Sequence, residues 1–206
     1  MPSSIEKVID DSNSKSQNEK NSSKAGIVFT SILGASVIGL TTVCYAFVRP
    51  ALRKICLPFV PATQEQISNV LKLLNGRSGK VIDLGSGDGR IVIECAKKGF
   101  QAEGIELNRW LIYFSRYSAF RHNVQNRTKF YCQDLWKMNY SNYNNIVIFG
   151  VEPMMQQLKE KLVNEMPSDD HCLIVCRFPL PNTVSSKIVG EGIDTVWLYK
   201  KRDLLK

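Results

Sequence analysis

Lys80-Val-Ile-Asp-Leu-Gly-Ser-Gly-Asp-Gly-Arg90 is the stretch on which the fold turns. Its first five residues read as a short buried strand, and an apolar helical pattern starts at Arg90. Between them, glycines at 85, 87 and 89 let the backbone pass close to a ligand and expose N–H groups near a helix N-terminus. A dinucleotide turn wants Gly-x-Gly-x-x-Gly, but its last position here is Arg90. A Walker loop needs Gly-Lys-Ser/Thr, which this turn lacks. Asp83, ending the strand, would repel a pyrophosphate. A carboxylate there suits a ligand bearing an ammonium, such as the amino-acid portion of S-adenosylmethionine.

Outward from this turn, helix and strand signals alternate. The expected helices are Gln64 to Leu74 (capped by Thr63), about Arg90 to Lys98, Arg109 to about His122, and Met154 to Glu165. The expected strands are Gln101 to Glu106, Thr128 to Cys132, Asn145 to Phe149, Cys172 to Cys176, and a last one from Ile193 to Tyr199. Such strand–helix units predict an α/β fold, a mostly parallel sheet with helices on both faces. The turn Gly190-Glu191-Gly192 suggests an antiparallel strand inserted late in the sheet.

Two further acids fall at strand ends. Glu106 closes the second strand, 17 residues after Gly89, where a carboxylate can accept both ribose hydroxyls. Asp134, just past the third strand, can take the adenine amino group, with Leu107 and Leu135 as apolar walls. Each acid also has a plainer use: Asp83 capping a turn, Glu106 as a surface acid, Asp134 starting a helix. Their joint placement on the edge where α/β sheets bind ligands favours the cofactor. The expected cofactor-binding set is Asp83, Gly85, Ser86, Gly87, Asp88, Gly89, Arg90, Glu106, Leu107, Asn108, Asp134 and Leu135.

The N-terminal quarter differs in kind. Residues 1–24 are polar, with four lysines against four acids, and are expected to lack structure. Their acids argue against a matrix-targeting presequence. Residues 25–48 carry no charge over 24 positions, which as a helix span roughly 36 Å and predict one transmembrane helix. Residues 49–62, with Pro50, Pro58 and Pro61, form a stiffened linker, and 63–206 the catalytic domain. Arg49, Arg53 and Lys54 follow the span against Lys24 before it, so the domain is expected on the cytoplasmic or matrix side.

The net charge of +8 forms no long basic run. Six scattered cysteines without a Cys-x-x-Cys pair suit a reducing compartment. Cys95, Cys132, Cys172 and Cys176 fall in core-like patterns. With only His122 and His171 available, no metal site is expected.

At these residues the sequence resembles the class I methyltransferases. More narrowly, it resembles the mitochondrial protein-lysine N-methyltransferase family acting on the ATP synthase c subunit and the adenine nucleotide translocase. The resemblance rests on Pro50 to Thr63, Gly85 to Ile93, Glu106-Leu-Asn-x-Trp-Leu111, Ser115-Arg-Tyr117, Asp134 to Lys137, Val147 to Val151, Arg177-Phe-Pro179 and Gly190 to Trp197. Cys56-Leu-Pro-Phe-Val-Pro61 and Met154-Met155 lie closer to the c-subunit branch. The resemblance implies a Rossmann-like seven-stranded sheet, S-adenosylmethionine as methyl donor, and a lysine of an inner-membrane protein as acceptor. It places the enzyme in the mitochondrial inner membrane, facing the matrix.

Glu152 and Pro153, after the fourth strand, are candidates for a substrate gate. Glu152 steers the lysine ammonium or simply serves as an acid in a helix's first turn. RNA is the main rival substrate, but base-amine enzymes usually carry Asn/Asp-Pro-Pro-aromatic where this chain reads Phe149-Gly-Val-Glu-Pro153. No nucleic-acid partner is therefore expected. A module that binds S-adenosylmethionine without turnover is the non-enzymatic alternative.

Overall fold

The computed structural model describes residues 28–45 and 60–205. The polar segment expected at 1–24 and nearly all of the expected linker lie outside these residues. The chain divides into two units, Met1–Lys54 and Ile55–Lys206.

In the first unit, helix α1 (Val28–Tyr45) is long and apolar enough to cross a membrane. Three of its polar side chains bond their own backbone. Ser36 Oγ donates to Ile32 O at 2.9 Å, and the Thr41 and Thr42 hydroxyls donate to Val37 O and Ile38 O at 2.7 Å. Hydroxyls bonded four residues back do not need water, so these three are compatible with an apolar surrounding.

The second unit alternates as the sequence predicts. Helix α2 (Gln64–Leu74) starts with a full capping box, Thr63 Oγ1 accepting from Gln66 N while Gln66 Oε1 accepts from Thr63 N. Then follow β1 (Lys80–Leu84), α3 (Arg90–Lys97), β2 (Gln101–Glu106), α4 (Arg109–Arg121), β3 (Thr128–Cys132), β4 (Asn145–Phe149), α5 (Glu152–Glu165), β5 (Cys172–Cys176), β6 (Lys187–Val189), β7 (Val196–Lys200) and the short α6 (Lys201–Leu204). The seven strands are ordered β3-β2-β1-β4-β5-β7-β6. The strands β3-β2-β1-β4-β5 are parallel, while β7 runs antiparallel between β5 and β6. The chain winds outward from β1 to β3, then crosses back to β4 on the other side of β1. This reversal opens a crevice at the carboxyl ends of the strands, the usual ligand position in such sheets.

Strand residues alternate between two cores. Val81, Ala102, Phe130, Val147 and Ile174 pack with α2, α3 and α4 residues such as Val70, Val92 and Ile112. Ile82, Leu84, Ile105, Ile146, Ile148 and Leu173 face the other way, against Met155, Leu158 and Leu162 of α5 and Tyr140 and Tyr143 of the loop before β4. A sheet buried on both faces explains why β1, β4 and β5 read as nearly continuous apolar runs.

The structure corrects three sequence expectations and adds two elements, β6 and α6. The last strand begins at Val196, because Gly192–Asp194 forms a 3-10 turn. Polar groups of α2 hold that turn: Gln66 Nε2 donates to Ile193 O and Asn69 Nδ2 to Asp194 O, carbonyls a sheet ladder would otherwise use. The edge strand β6 is three residues with mostly exposed side chains and leaves no apolar alternation to read. No local pattern signals the terminal helix α6, a single turn in which Asp203 Oδ2 accepts from Lys200 N. Helix α5 starts at Glu152 instead of Met154, since proline is tolerated in a first turn where its missing N–H has no partner to lose. Cys132 is exposed at the end of an outer strand, whereas Cys95, Cys172 and Cys176 are buried as expected.

Candidate functional site

The glycine turn is built by the sheet beneath it. Gly85 N and Ser86 N both donate to Ile105 O, at 2.9 and 2.8 Å, so β2 sets the height of the loop above β1. Gly85, Gly87 and Gly89 all have positive φ (77°, 54° and 79°), a region open to glycine at little cost. At Gly89 a Cβ would lie 2.8 Å from Ser115 and Phe130, while at Gly85 nothing stands within 4 Å. The loop is therefore tight against the protein at its end and open at its start.

Three of the predicted residues converge here. Asp83 is buried, and its Oδ1 has no hydrogen-bond partner. Burial, with the negative charges of Glu106 and Asp88 adding to it, pushes its carboxyl up to about 8. Ser86 Oγ is the other buried side-chain oxygen without a partner among the described residues. Glu106 reaches back over the loop: Oε2 accepts from Gly87 N at 3.2 Å and Oε1 from Asn108 N at 2.8 Å. An unpartnered buried carboxyl oxygen beside an open glycine turn is costly on its own and suits a positively charged group placed next to it. These residues fit a ligand that brings an ammonium to Asp83.

Asp88 and Arg90, also predicted to bind cofactor, are occupied with each other. Arg90 Nε lies 3.0 Å from both Asp88 oxygens, and Arg90 Nη1 donates to Ala62 O at 2.7 Å. The pair clamps the loop to the segment entering α2. Asn108 caps α4, accepting from Trp110 N at 3.0 Å. Asp134 is half-buried past β3 and caps the 3-10 turn Leu135–Lys137 by accepting from Trp136 N at 3.0 Å. Leu107 is exposed and Leu135 half-buried on the same edge. Glu152 and Pro153 are exposed in the first turn of α5, beyond the end of β4.

Two contributors escaped the sequence. Ser115, buried on α4, places Oγ 3.1 Å from Gly87 O and 2.8 Å from Leu111 O, tying helix to loop. Gly104, paired with Asp83 in the β1–β2 register, leaves room for Ser86, whose Oγ would lie 2.6 Å from an added Cβ. A glycine inside a strand signals such an approach; nothing local marks Ser115.

Residues 83–187 match the family described as the ANTKMT methyltransferase domain, and residues 20–53 match the N-terminal domain of the ATP synthase c-subunit lysine N-methyltransferases. The ATP synthase c-subunit lysine N-methyltransferase of Xenopus laevis is 55% identical over 176 residues, 85% of this chain and 77% of that protein. Its Homo sapiens counterpart is 53% identical over 182 residues, 88% and 78%. The chain belongs to this family of protein-lysine N-methyltransferases. With that membership comes its methyl donor, S-adenosylmethionine. The adenine nucleotide translocase lysine N-methyltransferase of Mus musculus is more distant, 38% identical over 169 residues, 80% of this chain and 73% of that protein. Among solved structures, an RNA methyltransferase from Salinibacter ruber in complex with S-adenosyl-L-homocysteine superposes with a TM-score of 0.65 at 25% identity, over 68% of this chain and 93% of that one.

Proposed function

We propose that this methyltransferase is a single-pass protein of the mitochondrial inner membrane that methylates a lysine of the ATP synthase c subunit from the matrix side. Residues 25–48 are its span, 49–62 its linker and 63–206 its catalytic domain. The observation that carries the substrate is identity above one half with two enzymes named for that protein, against 38% with the translocase enzyme. The positive charges after the span, Arg49, Arg53 and Lys54, support a domain on the matrix side.

S-adenosylmethionine, when bound, supplies a methyl group already activated on a sulfonium. Asp83 would hold its ammonium, Glu106 its ribose hydroxyls and Asp134 its adenine amino group. Gly85, Ser86, Gly87 and Gly89 would let it lie close to the backbone, between Leu107 and Leu135. Asp88, Arg90 and Asn108 hold the loop in shape through their own hydrogen bonds. Protein groups then act mainly by positioning. The acceptor must arrive neutral, and near pH 8 only about one ordinary lysine in a few hundred is. Glu152, exposed past β4, would attract the incoming ammonium, and desolvation of the substrate lysine as it enters would favour its neutral form.

Mass spectrometry of c subunit from membranes with and without this gene tests the proposal. A methylated lysine is expected only where the gene is present, and an unchanged c subunit would overturn the substrate. The likeness to an RNA methyltransferase at 25% identity raises RNA as the second reading. Labelled methyl transfer to RNA but not to c subunit would establish it.

A further inference from the structure

Helix α4 is inside out for a helix covering a sheet. Its buried residues are Ile112, Ser115 and Ala119, two of them small. Its aromatic residues point away: Trp110, Tyr113, Phe114, Tyr117 and Phe120 are 44–63% exposed. They lie at spacings of three and four, so they form one stripe along a helix of about 20 Å. Every exposed aromatic residue among the described residues 60–205 is on this helix. Arg109 and Arg121 are exposed beside the stripe, as is Arg116, whose Nη2 donates to Phe130 O at 2.8 Å, and α4 has no acidic residue.

We propose that this face of α4 lies in the surface of an anionic lipid bilayer, as a second membrane contact made by the catalytic domain itself. Tryptophan and tyrosine with polar edges alongside phenylalanine, flanked by arginine, are the composition of the bilayer interface, where a helix sinks about 5–10 Å. Three cations on a helix without an acid match an anionic headgroup layer. The occupant is within reach, on the reading that residues 25–48 span the membrane, from which this proposal starts. On that reading residues 49–59 lie between the span and the first described residues of the domain, and a chain of that length extends at most about 40 Å. Since Asn108 both caps α4 and bonds Glu106, seating α4 on lipid holds the cofactor crevice at the headgroups, where a lysine on a short membrane-protein loop would be.

The test uses the full chain in vesicles of phosphatidylcholine with one quarter phosphatidylglycerol, with and without bromine on the acyl chains near the headgroup. Trp110 is exposed while Trp136 and Trp197 are partly buried, so brominated lipid is expected to quench about one third of the tryptophan emission. Trp110→Phe should remove that quenched fraction and leave S-adenosylmethionine affinity unchanged. Emission quenched by acrylamide from water but not by brominated lipid overturns the proposal. So does emission quenched by neither, which would mean that protein covers the stripe, either residues 46–59 or a second copy. Carbonate extraction of the same vesicles reads α1 separately: a carbonate-resistant chain with unquenched Trp110 sinks the α4 contact and leaves the span standing.

Discussion

Asp83 is the residue whose chemistry is most completely displayed. Its carboxyl, raised to about 8 by burial and by Glu106 and Asp88, holds a proton at neutral pH that the unfolded chain has lost above about pH 4. The folded state binds the extra proton through this window. Its contribution to stability is therefore full below pH 4 and declines as pH rises through 8. A cation beside the carboxylate reverses the preference, so S-adenosylmethionine binding at pH 7 should release a proton. Calorimetry in two buffers of different ionisation enthalpy measures this, and a heat independent of buffer would remove Asp83 from the ammonium. Asp83→Asn should keep the fold, flatten the fall in melting temperature between pH 6 and 8.5, and lose most cofactor affinity. Glu106→Ala should weaken binding by about 1.5–3 kcal/mol, roughly tenfold or more, in the same calorimeter. The positions of the three acids near the carboxyl ends of β1, β2 and β3 were legible in the sequence because each follows from where its strand stops, while their roles toward the cofactor belong to the proposal. Ser115 and the Asp88–Arg90–Ala62 clamp were not, because their partners come together only in the fold.

At the scale of elements, the strong signals were apolar period and capping, and they located α2, α3, β1, β2, β4 and β5 closely. Boundaries shifted where tertiary contacts overruled local pattern, as when α2 captured the carbonyls of Ile193 and Asp194 and delayed β7. The sequence marks α4 as a helix, yet its pattern does not say that the small residues face the sheet. The α3–α4 junction offers a stability test. Gly89→Ala combines positive φ with a Cβ 2.8 Å from Ser115 and Phe130, while Gly76→Ala has a similar φ of 75° and open space. Urea denaturation should show a loss of about 2–4 kcal/mol for the first and about 1 kcal/mol for the second. Equal losses would mean the loop end is looser than its contacts indicate.

For the whole molecule, the division into an apolar N-terminal helix and an α/β domain followed from an abrupt change in composition, visible without any structure. What that division does for the reaction is a matter of effective concentration. Fixed to the bilayer, a catalytic domain meets other membrane proteins in a layer tens of ångströms deep, and the second encounter becomes nearly intramolecular. On the proposed anchoring, Arg49, Arg53 and Lys54 would follow the span near the surface, where Lys and Arg add about 1 kcal/mol each on anionic lipid. Deleting residues 1–48 should therefore leave a folded, cofactor-binding domain that methylates c subunit in vesicles about 10²-fold more slowly at equal bulk concentration. In detergent, where span and substrate no longer share a plane, the two forms should converge. This convergence separates tethering from damage, because a misfolded truncation would stay slow in both media. Rates that differ equally in vesicles and in detergent would place the N-terminal residues within the catalytic fold and end the tether argument.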